Sequence, residues 1–266
     1  TNAGRIVIGT LTQNAAAMNV SGAPTAVVHN DGVIDVNGKA TTVPRLNVGM
    51  QVTNAGAGSG GDIANGGTIN LNGINGIGIQ LTSTGTASSA ASSAGTINVA
   101  GGADPASGTR NYGIWAEGQG TGTSTANVAG AVNLLGTGAI GIHARGRATV
   151  NVAATSVPTF AGTDQIGFFA YGPTARINVA PGALLDVTTT RSNLFRLENG
   201  ATFDGTGLTV RASGTNSIAV LGTGTASGST TITVNLSVTA PLPTITKVTN
   251  AASYASGSLS AGEVIT

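Results

Sequence analysis

Ile140-Gly141-Ile142-His143-Ala144, followed shortly by Val150-Asn151-Val152, is the stretch that decides the fold. In both pieces apolar residues alternate with Gly, His or Asn, and period-two alternation marks a strand with one buried face. The first piece recurs as Val48-Gly49-Met50-Gln51-Val52, Ile77-Gly78-Ile79-Gln80-Leu81, Tyr112-Gly113-Ile114-Trp115-Ala116 and Ile166-Gly167-Phe168-Phe169-Ala170. Asn193-Leu194-Phe195-Arg196-Leu197 and Ser217-Ile218-Ala219-Val220-Leu221 continue it, with Leu194 and Ile218 in the Gly place. The second piece recurs as Ile34-Asp35-Val36, Ile69-Asn70-Leu71, Ile97-Asn98-Val99, Ala126-Asn127-Val128, Ile177-Asn178-Val179 and Phe203-Asp204-Gly205. A fainter third strand falls between them, at Val132 with Leu134, Leu184 with Val187 and Leu208 with Val210. Subtracting residue numbers places successive copies 24 to 35 residues apart.

Strands that return after one whole coil, without a helical i, i+3, i+4 pattern, stack in parallel and bury what a single coil cannot. The sequence therefore predicts an all-β fold, a right-handed parallel β-helix (solenoid) with about three strands per coil. Residues 1–25 are expected to form an N-terminal strand or cap region and residues 26–238 the β-helix. Residues 239–266, which include Ala240-Pro241-Leu242-Pro243, are expected to form a C-terminal cap or a linker toward a missing region. The small polar stretches 83–94 and 101–109 read as protruding loops. The glycine-rich stretch 56–61 reads as a linker between coils, because no helix follows it to make a phosphate site. The Asn of the second piece, flanked by inward apolar residues, is expected to point outward and form a ladder of amides from coil to coil.

Composition narrows the function classes. Charged residues make up 8% of the chain and aromatics 3%, with 42 glycines. A hydrophobic fraction of 40% and a net charge of +1 argue against disorder. The eleven basic residues form no run or stripe, which excludes a nucleic-acid surface and electrostatic attachment to anionic lipid. No apolar run approaches the roughly 18 residues that span a bilayer. The chain starts at Thr1 without a charged and then apolar leader, so any signal peptide is expected to lie upstream or to have been removed. With no cysteine, there is no disulfide, thiolate metal site or cysteine nucleophile. His29 and His143 share no metal-ligand spacing, and no cofactor is expected.

The recurrent Ile-Gly-Ile and Ile-Asn-Val coils, the richness in Gly, Ala, Thr and Asn, the few charges and the lack of cysteine resemble the passenger region of a bacterial autotransporter (type V secretion) of the β-helix adhesin type. The resemblance covers roughly residues 26–238 and rests on repeat style. It implies a location at the cell surface or outer membrane of a Gram-negative bacterium, or secretion from it. It also implies a role in adhesion, aggregation or host interaction, as in virulence. The implied partners are a host surface protein or glycan, or another copy of the chain, together with a C-terminal outer-membrane barrel in the full-length protein.

If places one, three and five of the first piece face inward, places two, four and six form an external strip, with the Gly column leaving bare backbone. Place four then carries Gln51, Gln80, Trp115, His143, Phe169 and Arg196, and place six Thr53, Thr82, Glu117, Arg145, Tyr171 and Glu198. Aromatic and Arg anchors on one face are the composition of a binding surface, so Trp115, Glu117, His143, Arg145, Phe169, Tyr171, Arg196 and Glu198 are the candidate binding residues. The competing reading is structural: Trp115, His143 and Phe169 stack as a ladder, and Glu117 pairs with Arg145. The chain reads as non-enzymatic. The alternative, a polysaccharide lyase or glycoside hydrolase on a β-helix, needs clustered acids, but Asp and Glu together number ten and are scattered. Glu117 and Glu198 share the strip at about 14 Å by strand spacing, beyond glycosidase geometry.

Overall fold

A computed structural model describes residues 1–21, 26–39, 46–56, 59–104, 108–227 and 231–234. Thr1–Leu236 forms one compact unit. The expected C-terminal segment 239–266 lies outside the described residues.

The chain is an all-β, right-handed parallel β-solenoid. Its strands visit three sides in strict rotation. The first sheet stacks Arg5–Ile8, Val33–Val36, Thr68–Leu71, Thr96–Val99, Val132–Leu134 and Thr159–Phe160. The second stacks Ala16–Ser21, Asn47–Gly56, Gly76–Gly85, Tyr112–Gly118, Ile140–Gly146, Ile166–Tyr171, Asn193–Glu198 and Ile218–Gly222. The third runs from Val27–Asn30 through Ser59–Asn65, Ser88–Ser93, Thr123–Val128, Ala148–Val152, Arg176–Val179 and Thr202–Asp204 to Thr225–Ser227. In the last coils Leu184–Val187, Thr209–Ala212 and Thr231–Val234 take the first sheet's turn as a separate three-stranded sheet. Three strands per coil, all paired in parallel, match the sequence expectation. The N-terminal segment already belongs to the stack, since Ile6 pairs with Ile34 and Met18 with Met50.

Inward side chains of the three sides fill one continuous core. Ile34, Ile69 and Ile97 face it from the first sheet, Met50, Ile79, Ile114 and Ile142 from the second, and Ala126, Val150 and Ile177 from the third. Toward the C-terminal coils the filling becomes aromatic. The rings of Phe168 and Phe195 stack at 5.1 Å, and Phe195 meets Phe203 at 4.0 Å.

Five expectations need correction. The Asn series is two ladders on two sheets. Asp35, Asn70, Asn98 and Asn133 align on the first sheet, whereas Asn127, Asn151, Asn178 and Asp204 align on the third. Both sheets present the same apolar–Asn–apolar pattern, and a step from Asn98 to Asn127 imitates one coil while changing sides. The third-sheet partner of Asn127 is Ser92, in the strand Ser88–Ser93, where residues 83–94 had read as a loop. Its inward residues are Ser89, Ala91 and Ser93, too small to register as a hydrophobic pattern. Their hydroxyls are satisfied inside the coil: Ser83 and Ser89 share a hydrogen bond, as do Ser89 and Ser124 at 3.0 Å. The stretch 56–61 likewise falls largely in strands, closing Asn47–Gly56 and opening Ser59–Asn65. In the described part of 101–109 there is no strand, as expected of a loop. At the C-terminal end Asn193 pairs with Ile218, so Ala219 rather than Ile218 stands in the Gly place.

The fifth correction concerns the glycines. A Cβ on Gly49, Gly78 or Gly113 would lie 3.0, 3.0 and 3.1 Å from the inward side chains of Ile69, Ile97 and Val132, and 2.7, 2.5 and 2.7 Å from the carbonyl oxygen of the next glycine in the column. The column therefore faces the first sheet inside the coil and leaves no bare external backbone. Places two and three both turn inward, a local break in alternation that rounds the corner from the first sheet. Leu194 replaces glycine where the long first sheet has ended and is itself buried in the core. Place one goes the other way: Val48, Ile77, Ile140 and Ile166 are buried without joining the central cluster.

The amide ladders form as expected. Asn70 Nδ2 donates to Asp35 Oδ1, Asn98 Nδ2 to Asn70 Oδ1 and Asn133 Nδ2 to Asn98 Oδ1, at 2.8, 2.8 and 2.9 Å. Arg5 caps the series through Asp35. Asn98→Leu removes two half-buried hydrogen bonds and strands their partners. Unfolding in urea is expected to show a loss of about 1–2 kcal/mol, and an unchanged midpoint would mean that the ladder contributes nothing.

Candidate functional site

The outer face of the second sheet gathers the single Trp, Phe169, Tyr171, His143 and four charged residues. In the ladder Gln80 is followed by Trp115, His143, Phe169 and Arg196, and beside it Thr82 by Glu117, Arg145, Tyr171 and Glu198. All eight candidate residues thus occupy one strip in the expected register.

Their contacts are specific. Trp115 Nε1 donates to Glu117 Oε2 at 3.2 Å, and Gln119 Nε2 donates to Glu117 Oε1 at 2.9 Å. Arg145 approaches the same carboxylate at 3.6 Å, with its guanidinium 5.6 Å from the Tyr171 ring. Arg196 pairs with Glu198 at 2.6 Å and lies 5.1 Å over the Phe169 ring. These half-exposed ion pairs stabilise by about 0–1 kcal/mol each, so their main effect is to fix side-chain positions.

His143 sits at the centre. Its ring is 4.6 Å from Trp115 and 4.5 Å from Phe169, and only 4% of the residue is exposed. Nδ1 is buried without a hydrogen-bond partner. Burial, reinforced by the positive Arg145 and partly offset by a hydrogen bond with the Phe169 backbone, pushes its pKa down to about 3. The imidazole is therefore neutral at physiological pH and acts as an aromatic spacer.

The sequence reading missed Tyr112. It occupies place one, taken as inward, yet its ring packs at 4.7 Å on Trp115 and 5.7 Å from His143. Burial raises its hydroxyl pKa, against the opposing charges of Arg110 and Arg196. A charged corner flanks this ring. Arg110 donates to the carbonyl of Asp164, whose side chain makes a bidentate pair with Arg191 at 2.8 and 2.7 Å. That Arg191 bond holds the Asp164 carboxyl below its ordinary range. Asp164 and Arg191 both have positive φ, at 57° and 53°, so the pair ties together two left-handed turn residues of successive coils. Pairing between residues 27 positions apart leaves no short-range signal.

Two concave features lie among the described residues. A pocket of about 150 Å³ lies at the N-terminal end of the strip, lined by Asn14, Ala16, Val48, Gln51 and Gln80 among others. An open groove of about 450 Å³ follows the third sheet, where Val128, Val152 and Val179 adjoin the exposed ladder of Asn127, Asn151 and Asn178.

The strip holds aromatic rings, two carboxylates and two guanidinium groups in fixed mutual contact. Glu117 and Glu198 are separated by three ladder steps, about 14 Å, and each is engaged by its own neighbours. Among the described residues no cluster of three or more His, Asp or Glu is arranged to hold a metal ion. Comparison with protein-family models, curated proteins and solved structures finds no match to this chain.

Proposed function

We propose that the chain is a surface-displayed, non-enzymatic binding module, an adhesin or self-association unit of the autotransporter passenger type, acting through the outer strip of its second sheet. The observation that carries this reading is the convergence of Trp115, Tyr112, Phe169, Tyr171, Arg145 and Arg196 on one rigid face of a chain with 3% aromatic residues. Pre-fixed aromatic and Arg side chains lose little freedom on binding, which is why such residues dominate interface energetics. Stacked coils fold by propagation, which suits a chain emerging gradually through an outer membrane. Antibody labelling of intact cells expressing the parent protein tests display at the surface.

The direct test is a Trp115→Ser, Phe169→Ser, Tyr171→Ser variant, compared with an Arg176→Ser control on the third sheet. Adhesion to host cells, or self-aggregation, is expected to fall about tenfold or more in the triple variant and to hold in the control. Unchanged adhesion with intact β circular dichroism sinks the strip as the binding surface. Self-association is favoured as a second mode by the open, largely apolar third-sheet groove. Sedimentation at rising concentration separates it from ligand-dependent adhesion. A lyase or hydrolase is the competing class, and product release from polyuronates or glycans that depends on Glu117 or Glu198 would establish it.

A further inference from the structure

We propose that the strip binds an uncharged saccharide chain, seated between the amide-lined pocket at Gln51 and Gln80 and the neighbouring Trp115. This names the ligand class of the surface described above and rests on that reading. The pocket is concave, and among the described residues no charged side chain lines it. Gln51 Nε2 donates to Gln80 Oε1 at 2.9 Å. That single bond leaves the Gln51 carbonyl oxygen as an acceptor and the Gln80 amide with donor capacity. A charged group entering here would meet no counter-ion among these lining residues, and an apolar one would leave both amides unsatisfied. Hydroxyl groups both donate and accept, and so fit both amides.

The second half of the site is the next rung of the ladder. Gln80 pairs directly with Trp115, one strand spacing away, about 4.8 Å. The indole is held on three sides, by the Tyr112 and His143 rings at 4.7 and 4.6 Å and by its Nε1 bond to Glu117. Because Glu117 is already taken up by Trp115, Gln119 and Arg145, it adds no free charge beside the ring. A half-buried, immobilised indole next to an amide pair offers one surface for the C–H face of a sugar ring and another for the hydroxyls of its neighbour. The saccharide chain would run along the solenoid axis, across the strands. The glycine column faces inward and offers such a chain no external surface.

Affinity electrophoresis tests the assignment. The full chain is run in native gels containing dextran, galactomannan or hydroxyethyl cellulose, with heparin and polygalacturonate gels alongside. At least one neutral polymer is expected to retard the chain. Gln80→Leu and Trp115→Ser are each expected to weaken that retardation about tenfold or more, with Arg176→Ser unchanged. Gln80→Glu keeps the size of the side chain while charging the pocket, and should weaken retardation likewise; thermal melts verify that each variant is folded. Retardation by no neutral polymer, or retardation indifferent to both Gln80 variants, overturns the proposal. Cell adhesion that persists without neutral-polymer binding, or binding confined to the acidic polymers, overturns the saccharide assignment and leaves the broader adhesive reading in place. Loss of adhesion and of all polymer binding overturns both.

Discussion

Gly113→Val is expected to destabilise the solenoid by about 3 kcal/mol or more, read as a lowered midpoint in urea unfolding. A Cβ at this position would sit 2.7 Å from the Gly141 carbonyl oxygen, 3.1 Å from Val132 Cγ1 and 3.5 Å from Val99 Cγ2. None of these neighbours has room to yield. The carbonyl belongs to the next coil, and Val132 and Val99 are buried in the core with 1% and 0% exposure. Relief requires the coils to part, which lengthens ladder hydrogen bonds on both sides. Gly78→Val should behave alike, since its Cβ would stand 2.5 Å from the Gly113 carbonyl. Valine has high strand propensity, so the same substitution on an outward position should be nearly neutral. Thr125→Val on the third sheet is the control, with a change within about 0.5 kcal/mol. Equal midpoints for Gly113→Val and the parent chain would place the column outside the coil and undo the corner geometry.

That contrast also shows what was legible in the sequence. The solenoid and its second-sheet ladder were readable because large apolar residues recur at place three and apolar residues at place five, where alternation holds. The direction of the glycines was not, because a residue without a side chain carries no hydropathy signal and alternation fails where places two and three both turn inward. The two Asn ladders merged for a related reason. Ile97-Asn98-Val99 and Ala126-Asn127-Val128 present the same pattern on different sheets, while the true third-sheet partner of Asn127 lies in Ser88–Ser93, whose inward face is Ser and Ala. The strip's outward rows at places four and six were legible, since they depend only on the register of one ladder. Tyr112 was not, because place one follows the corner, and neither was the Asp164–Arg191 pair, which is made between coils.

Acid is expected to weaken the fold through His143 in a window that the buried ring defines. Its folded-state pKa is about 3, against 6.5 for the free side chain. Above pH 6.5 the imidazole is neutral in both folded and unfolded chains, and its burial carries no protonation penalty. Between pH 6.5 and 3 the unfolded chain takes up a proton that the folded chain refuses. Stability therefore drops by about 1.4 kcal/mol per pH unit across that window. Below pH 3 both forms are protonated and the loss levels off, having reached about 4–5 kcal/mol. The cause is structural: the ring is enclosed by Tyr112, Trp115 and Phe169, with Arg145 adding repulsion, so a charge there has neither water nor a counter-ion. His143→Gln and His143→Phe remove the titrating group while keeping a side chain in the gap. Urea unfolding from pH 7 to 3 should show the steep fall in the parent chain and a much shallower one in both variants. Exposed carboxylates such as Asp164 and Asp204 titrate in all three proteins and cancel in the comparison. If parent and variants lose stability in parallel, the ring is not enclosed, and the rigid aromatic platform beside Glu117 and Arg145 loses its centre.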